Sequence, residues 1–236
     1  MRSGQIFLII PAYNEERRIS NVLRAYSALL KKNGFNIIIS SQSNDSTDSI
    51  IKGFCAKNRH ISLIRDAGHG KGSNIINGIR YVLKKAKDLD IVGFVDADGA
   101  IDSKEIDRLA ELLLERNLDG IIGSRYLEGS DVRGISLWRK FLSRSYNIII
   151  RLAGMNYTDT QCGAKFFRAK SLKKIYKGLF ETGWVFDLNL LFEMEKNSFK
   201  IIEVPIKYNH VENNSKVNVF TSLTVLIQTM HYFLKR

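Results

Sequence analysis

Short apolar runs rich in β-branched residues alternate with amphipathic helical patterns through the first half of this chain. Unbroken apolar runs are typical of strands in a parallel sheet that is covered on both faces. The predicted strands are Gln5–Ile10, Ile37–Ile39, Ile61–Ile64, Ile91–Val95 and Gly120–Ile122. The predicted helices are Glu15–Lys32, Thr47–Phe54, Ser73–Lys87 and Ser103–Arg116. This order predicts an α/β fold with a doubly wound, mostly parallel central sheet flanked by helices, and with ligands at the carboxyl ends of its strands.

Two carboxylates, those of Asp96 and Asp98, directly follow the apolar run that ends at Val95. A buried strand there delivers both of them to one exposed edge of the sheet. Aspartate oxygens that leave coordination positions open suit a divalent cation that also binds a diphosphate. The pair therefore favours an enzyme that acts on a nucleotide-activated substrate, and an ordinary turn or helix cap is the alternative.

Composition narrows the classes of partner and compartment. The net charge of +12 favours anionic partners, which are phosphates, nucleic acid or an acidic membrane face. The cysteines, Cys55 and Cys162, lie far apart and in no metal-ligand spacing, so a reducing, cytoplasmic compartment fits. The apolar stretch Ile6–Ile10 is too short for a secretory signal. With 236 residues and 44% hydrophobic content, the chain can form one large domain or two intimate halves.

The segment after the first predicted strand carries candidate donor-binding residues. Pro11 is expected to stop the strand, and Asn14 or Glu15 to open the next helix. Exposed N–H groups at that helix start, together with the ring of Tyr13, could hold a base and a phosphate. An ordinary capped helix start is the alternative interpretation.

Polar or glycine-rich segments also follow the second and third strands. The turn 43–48 contains Asn44, which could contact a nucleotide or simply belong to a helix cap. Residues 68–73 match neither the Walker pattern nor the G-x-G-x-x-G spacing of dehydrogenases. Lys71 is expected in a flexible, backbone-exposed loop, either as a diphosphate contact or as a solvated surface lysine.

From Arg133 to Arg151 the chain has several basic residues and no acidic one. Helical spacing places the apolar residues on one side and the basic ones beside them, as an interfacial membrane helix requires. Arg139 and Ser143 share a helix face and could hold a phosphate. A basic-flanked core helix is the alternative. A nucleic-acid platform is disfavoured, because no RNA- or DNA-binding signature accompanies the charge.

A set of motifs that runs in order over nearly the whole chain carries a family resemblance. The motifs are Pro11–Glu16, Ser46–Asp48, Gly70–Gly72, Asp96–Asp98, Gly123–Tyr126, Asp159–Gly163, Trp184–Asp187 and Ser215–Lys216. Together they resemble the family 2 glycosyltransferases with a GT-A fold, in particular the polyprenyl-phosphate (dolichyl-phosphate) hexose synthases. The resemblance implies one GT-A catalytic domain over 1–236, with a nucleotide-sugar-binding half, 1–123, and an acceptor-binding half, 124–236, that contains the basic amphipathic helix and a C-terminal helix.

The resemblance implies inverting transfer of a hexose from a nucleotide sugar to polyprenyl (dolichyl) phosphate at a membrane surface, dependent on Mg²⁺ or Mn²⁺. A lipid phosphate is already anionic at neutral pH, so it needs no dedicated protein base. The expected metal ligands are Asp96 and Asp98. The expected catalytic residues are these two together with Arg125, Arg139 and Ser143, which are expected to bind the acceptor phosphate. The residues expected to bind the nucleotide sugar are Pro11, Ala12, Tyr13, Glu15, Asn44, Lys71, Asp96, Ala97, Asp98, Gln161, Asp187, His210 and Lys216.

The motifs also bear on donor and partners. The donor is expected to be UDP-glucose or GDP-mannose, and the segments 70–72 and 159–163 look more like those of dolichyl-phosphate glucosyltransferases. Asn44 stands where relatives often have an aspartate, and His210 where some have an arginine. The expected location is peripheral, on the cytoplasmic face of a membrane.

The last segment, Phe220–Arg236, has its apolar residues on one helical face. It is expected to dock on the membrane, a membrane-anchoring subunit or another copy, or else to pack on its own domain.

The alternative function is a glycosyltransferase with a soluble sugar or polysaccharide acceptor. No nucleic-acid partner is expected, because the acidic and amide residues at the strand ends would repel it.

Overall fold

A computed structural model describes residues 4–32, 34–65, 70–152, 154–180, 183, 185–209, 228 and 229, with the backbone alone for 137–142. The strands are β1 Ile6–Ala12, β2 Phe35–Ser41, β3 Ile61–Arg65, β4 Ile91–Phe94, β5 Gly120–Ser124, β6 Asp131–Arg133, β7 Lys165–Arg168, β8 Ile201–Pro205 and β9 Lys207–Asn209. The helices are α1 Ile19–Leu30, α2 Thr47–Lys57, α3 Lys71–Leu83, α4 Ser103–Glu115, α5 Leu137–Leu152, α6 Ala169–Ile175 and α7 Phe186–Lys196, with a 3-10 helix over Tyr176–Gly178.

The main sheet has the strand order β3-β2-β1-β4-β7-β5-β8. Its neighbouring strands run parallel, except that β7 is antiparallel to both β4 and β5. The predicted doubly wound, mostly parallel sheet is therefore confirmed. Because β2 and β4 lie on either side of β1, the carboxyl ends of these three strands meet at one edge.

Alternation along β1 divides the hydrophobic core between the two faces of the sheet. Leu8 and Ile10 pack in the cluster that contains residues of α1 and α4, whereas Phe7 and Ile9 pack with residues of α3 and α7. Successive strand side chains point to opposite faces, so both faces of β1 are covered by helices. This burial explains why its sequence is apolar without interruption.

The prediction that Pro11 ends the first strand is wrong. The strand continues through Pro11 to Ala12, because a proline near a strand end removes only one potential ladder hydrogen bond. The helix also begins later than predicted, at Ile19 rather than at Asn14 or Glu15. Asn14 has a φ of +52°, which a right-handed helix does not allow.

The expectation that Lys71 itself lies in a loop is also corrected, whereas residues 66–69 lie outside the described residues. Lys71 is the first residue of α3, and it follows Gly70, whose φ of +95° is accessible to glycine at little cost. The chain therefore turns at Gly70 and enters the helix at once. This turn brings the side chain of Lys71 to the same sheet edge as the end of β4.

The basic helix predicted in the second half is present as α5. The strands β6 and β9 form a separate parallel pair beside the main sheet. Among the described residues, none of the helices has the length and apolar content needed to span a membrane. Most of the predicted C-terminal helix, Phe220–Arg236, lies outside the described residues.

Candidate active site

Asp96 and Asp98 leave β4 at the edge where the other parallel strands also end. The Nζ atom of Lys71 lies 2.7 Å from Oδ1 of Asp96, which forms an ion pair between α3 and the end of β4. Burial opposes the charge of Lys71, but the carboxylates around it outweigh burial and raise the pKa of Lys71. Burial likewise favours protonation of Asp96, yet the adjacent Lys71 holds the pKa of Asp96 below its ordinary value.

Asp98 lies in a loop that is held at several points. Its Oδ1 accepts a hydrogen bond from the backbone N–H of Ala100 at 3.0 Å. The hydroxyl of Tyr26 donates to the carbonyl of Ile101 at 2.7 Å, and the N–H of Asn209 donates to the carbonyl of Ala100 at 2.9 Å. Burial and then the charge of Asp96 raise the pKa of Asp98, as expected for two carboxylates that share negative charge.

Gly163 packs directly against the first carboxylate of the pair. Because β7 is antiparallel, its first residue, Lys165, pairs with Phe94 at the end of β4, and the preceding residues reach the loop that contains Asp96. A Cβ built on Gly163 would lie 2.6 Å from Cγ of Asp96. Only a glycine leaves room for the carboxylate in this position.

The donor set fits a hard divalent cation with open coordination positions. Within the described part of the chain, no three His, Cys, Asp or Glu side chains are grouped closely enough to ligate one metal ion together. A site with two carboxylates is a different case. Mg²⁺ is typically bound by one or two carboxylates, with water and substrate phosphates as its other ligands. The Asp96 and Asp98 carboxylates match that pattern, and Ala97 lies buried between them.

Hydrogen bonds tie the end of β1 to the end of β2. The N–H of Asn14 donates to the hydroxyl of Ser43, and the N–H of Asn44 donates to Oδ1 of Asn14, both at 2.9 Å. The N–H of Glu15 donates to the hydroxyl of Thr47 at 2.7 Å. Next to these bonds the ring of Tyr13 is exposed, and Pro11 and Ala12 form the end of β1. Five residues that were predicted to bind the nucleotide sugar therefore lie at one edge of the sheet: Pro11, Ala12, Tyr13, Glu15 and Asn44.

The segment before β7 contains a buried amide. The Nε2 atom of Gln161 is buried and has no hydrogen-bond partner among the described residues. A buried donor without a partner costs roughly 1 to 3 kcal/mol, which an oxygen of a bound ligand would recover. Gln161 therefore offers a buried donor to a ligand oxygen, two residues before the Gly163 that contacts Asp96.

Asp187 lies in the first turn of α7, where its carboxylate is almost fully covered by protein. Its Oδ1 is 2.5 Å from the Nζ atom of Lys165. The sequence motifs singled out Asp187 but not Lys165. A lysine between Ala164 and Phe166, at the start of a short buried strand, is the signal that could have identified it.

Arg125 is held in place by a buried carboxylate. Its Nε and Nη2 atoms donate to the two oxygens of Asp159 at 2.7 and 2.8 Å. The backbone N–H of Asp159 in turn donates to Glu203 of β8 at 2.8 Å. The guanidinium also lies between the rings of Tyr126 and Tyr208, at 5.6 and 5.5 Å. Burial opposes its charge, but Asp159 raises the pKa of Arg125 well above its ordinary value, so a fixed cation borders the site.

We expect Asp159→Asn to lower the free energy of unfolding by roughly 3 to 5 kcal/mol, because removal of one partner leaves a buried charge uncompensated. Urea unfolding measures the change. The matched control is Asp131→Asn, which breaks the exposed pair of Asp131 with Arg133. Such exposed pairs often contribute nothing measurable. Equal unfolding midpoints for the two variants would contradict the structural importance of the buried pair.

The helix α5 adjoins Arg125 through Tyr126. The side chain of Ser143 lies near that of Tyr126, and the guanidinium of Arg144 lies 5.7 Å from the Tyr126 ring. Ser143 and the Arg125 guanidinium therefore both adjoin the side chain of Tyr126. The side chain of Arg139, and the whole of His210 and Lys216, lie outside the described residues.

The sequence of the chain is similar to those of known glycosyltransferases. The family model described as "Glycosyl transferase family 2" matches residues 7–176. The dolichyl-phosphate beta-glucosyltransferase of Drosophila melanogaster is 30% identical over 240 residues, which cover 93% of this chain and 71% of that protein. The UDP-N-acetylglucosamine–dolichyl-phosphate N-acetylglucosaminyltransferase of Methanococcus voltae is 31% identical over 229 residues, covering 90% and 88%.

Solved structures share the architecture at low sequence identity. Glucosyl-3-phosphoglycerate synthase from Mycobacterium tuberculosis, in complex with Mn²⁺, uridine diphosphate and phosphoglyceric acid, superposes with a TM-score of 0.72 and 16% identity. The match covers 98% of this chain and 79% of that protein. This likeness confirms the predicted fold class.

Proposed function

Because the chain belongs to glycosyl transferase family 2 and is a glycosyltransferase, we propose that it transfers glucose from UDP-glucose to dolichyl or another polyprenyl phosphate. The observation that carries this proposal is the Asp96 and Asp98 pair beside Lys71, at the edge where the nucleoside residues also lie. The lipid acceptor and the glucosyl group are supported by the names of relatives at about 30% identity. The choice of UDP over GDP is supported by the Methanococcus voltae relative, which is named for a UDP donor.

On the donor side, the chain provides both negative and positive groups for a nucleotide diphosphate. Asp96 and Asp98 would hold Mg²⁺ or Mn²⁺, which when bound neutralises the charge that develops on the leaving diphosphate. Lys71, which is paired with Asp96, would also offset the charge of the diphosphate. We assign the Gln161 amide, whose Nε2 atom has no partner among the described residues, to a sugar or phosphate oxygen of the donor.

On the acceptor side, the reaction needs a positioned phosphate more than it needs a base. A lipid monophosphate carries negative charge at neutral pH, and one of its oxygens can attack the anomeric carbon with inversion as the diphosphate leaves. Arg125 is oriented by Asp159, and both its guanidinium and Ser143 adjoin Tyr126. We assign the acceptor phosphate to Arg125 and Ser143 together with Arg139, whose position on α5 follows from the helix backbone.

The test is transfer of radiolabel into lipid. The purified chain is incubated with Mg²⁺ or Mn²⁺, a short-chain polyprenyl phosphate and labelled UDP-glucose or GDP-mannose, with and without EDTA. We expect label in the organic phase from UDP-glucose, and its loss with EDTA. Label in an aqueous product, or donor hydrolysis alone, would reject the lipid acceptor and favour a soluble sugar or polysaccharide.

The exposed face of α5 supports a membrane surface as the place of reaction. Ile148 and Leu152 are 56% and 84% exposed, and Arg144 and Arg151 are exposed near them. Apolar side chains flanked by basic ones are typical of a helix that lies in the headgroup region of an anionic membrane. We propose that the chain is peripheral on the cytoplasmic face of such a membrane, with α5 toward the lipid.

We expect the double change Ile148→Ser and Leu152→Ser to weaken binding to phosphatidylserine-containing vesicles by about tenfold or more, because each large apolar side chain contributes roughly 1.5 to 3 kcal/mol when buried. Vesicle sedimentation measures binding. Leu89→Ser is the matched control, because Leu89 is 57% exposed but lies at the opposite, amino end of β4. Equal vesicle binding by all three proteins would contradict membrane docking through α5.

A further inference from the structure

Lys165 is a buried cation that the reaction outlined above leaves without a role. Its side chain is 0% exposed, and that of its partner Asp187 is 3% exposed. The Nζ atom lies 2.5 Å from Oδ1 of Asp187 and donates to the carbonyl of Cys162 at 2.6 Å. It also lies 5.6 Å from the centre of the Phe94 ring. The lysine thus joins three separate parts of the fold.

All three partners border the carboxylate pair. Phe94 is the last residue of β4, just before the loop of Asp96. Cys162 is followed by Gly163, which packs against the Asp96 carboxylate. The charge of Asp187, in the first turn of α7, acts on Lys71, which is the ion-pair partner of Asp96. A single ammonium group therefore joins β4, the segment before β7 and α7 around the proposed donor site.

The contribution of the Lys165–Asp187 pair to stability does not by itself explain why the chain buries it. Removing two charges from water costs several kcal/mol per ion, and apolar residues of similar volume often replace a buried pair with no loss of stability. What apolar residues cannot reproduce is the directed hydrogen bond from Lys165 to the Cys162 carbonyl, which fixes the backbone next to Gly163.

We propose that Lys165, paired with Asp187, is a positioning element that holds the Cys162–Gly163 backbone against Asp96 and so sets the geometry of the metal and diphosphate site. This inference rests on the proposed function, because it assigns the Asp96 edge to a divalent cation and a nucleotide. Lys165 touches neither ligand in this assignment. It acts through the backbone that limits where the Asp96 carboxylate can lie.

The experiment compares the parent chain, Lys165→Met and the double variant Lys165→Met with Asp187→Leu. Lys165→Met alone leaves the Asp187 carboxylate buried and uncompensated, so it is expected to unfold more easily. The double variant removes both charges at similar volume and is expected to regain the unfolding midpoint of the parent. Mn²⁺ affinity, from the electron paramagnetic resonance signal of free Mn²⁺, and UDP affinity in the presence of Mn²⁺ are then measured.

The inference predicts that the stable double variant binds Mn²⁺ in the absence of nucleotide about tenfold or more weakly than the parent, the usual cost of removing a group that orients a metal ligand. Mn²⁺ binding without nucleotide is the deciding measurement, because Asp187 is expected at the nucleotide sugar and not at the metal, and UDP affinity is expected to fall with it. A purely structural role would restore binding together with stability, so a double variant that binds like the parent would overturn the inference. Failure of the proposed function is distinguishable, because the parent would then fail to bind Mn²⁺ and UDP or to label lipid.

Discussion

Gly163→Ala is expected to reduce glucosyl transfer by about a hundredfold or more, because a displacement of about 1 Å at a catalytic group can cost that much. The added Cβ would lie 2.6 Å from Cγ of Asp96, a separation at which one of the two groups must move. The carbonyls on either side of residue 163 are hydrogen-bonded, that of Cys162 to Lys165 and that of Ala164 to the N–H of Gly123. We therefore expect the carboxylate to be the group that shifts. Initial rates of label transfer at saturating donor and acceptor measure the effect.

The matched control for this change is Gly53→Ala. Gly53 lies within α2, and a Cβ there would meet no atom within 4 Å. Alanine in place of a helical glycine is expected to raise the free energy of unfolding by up to about 1 kcal/mol and to leave the rate unchanged. A Gly163→Ala chain that folds and transfers at the parent rate would show that contact with Asp96 is unimportant.

Asp98→Asn is expected to lower the rate by about a hundredfold to a thousandfold, the usual cost of removing one preorganised group that stabilises developing charge. The substitution preserves shape and removes the charge, so the pair becomes a single carboxylate, and Mn²⁺ affinity should fall as well. The residual rate should be insensitive to EDTA. Transfer assays with graded Mn²⁺, with and without the chelator, test both statements.

Asp102→Asn is the matched control for the second change. Asp102 caps α4 by accepting a hydrogen bond from the N–H of Glu105 at 2.8 Å. Asparagine caps a helix about as well as aspartate does, so we expect parent-like stability, rate and Mn²⁺ response. If Asp98→Asn kept the full metal-dependent rate, the cation would have to bind elsewhere.

Local pattern predicted the first half of the fold well. The apolar runs and the helical spacing there depend on short-range periodicity, and the strands and helices lie within a few residues of the predicted positions. The carboxylate edge could also be predicted, because Asp96 and Asp98 directly follow a buried strand. The errors at Pro11 and Asn14 arose because local rules for strand and helix ends do not include the hydrogen bonds that join the loops of β1 and β2.

Long-range pairings could not be read from the sequence. Nothing near Arg125 indicates that its partner is Asp159, and nothing near Phe94 indicates that β7 will lie beside it. The buried lysine of β7 shows the same limit, since its partner Asp187 comes from another element. Such contacts depend on topology, which periodicity does not encode.

The antiparallel strand β7 has a consequence for how the chain acquires its structure. The strands β4 and β5 do not pair with each other in the sheet, because β7 lies between them and comes much later in the sequence. Pairing of this kind closes a long loop and is slow to form. A nascent chain that ends after β5 contains Asp96 and Asp98 but lacks β7 and the Gly163 that packs against Asp96. We therefore expect catalytic activity to arise late in folding.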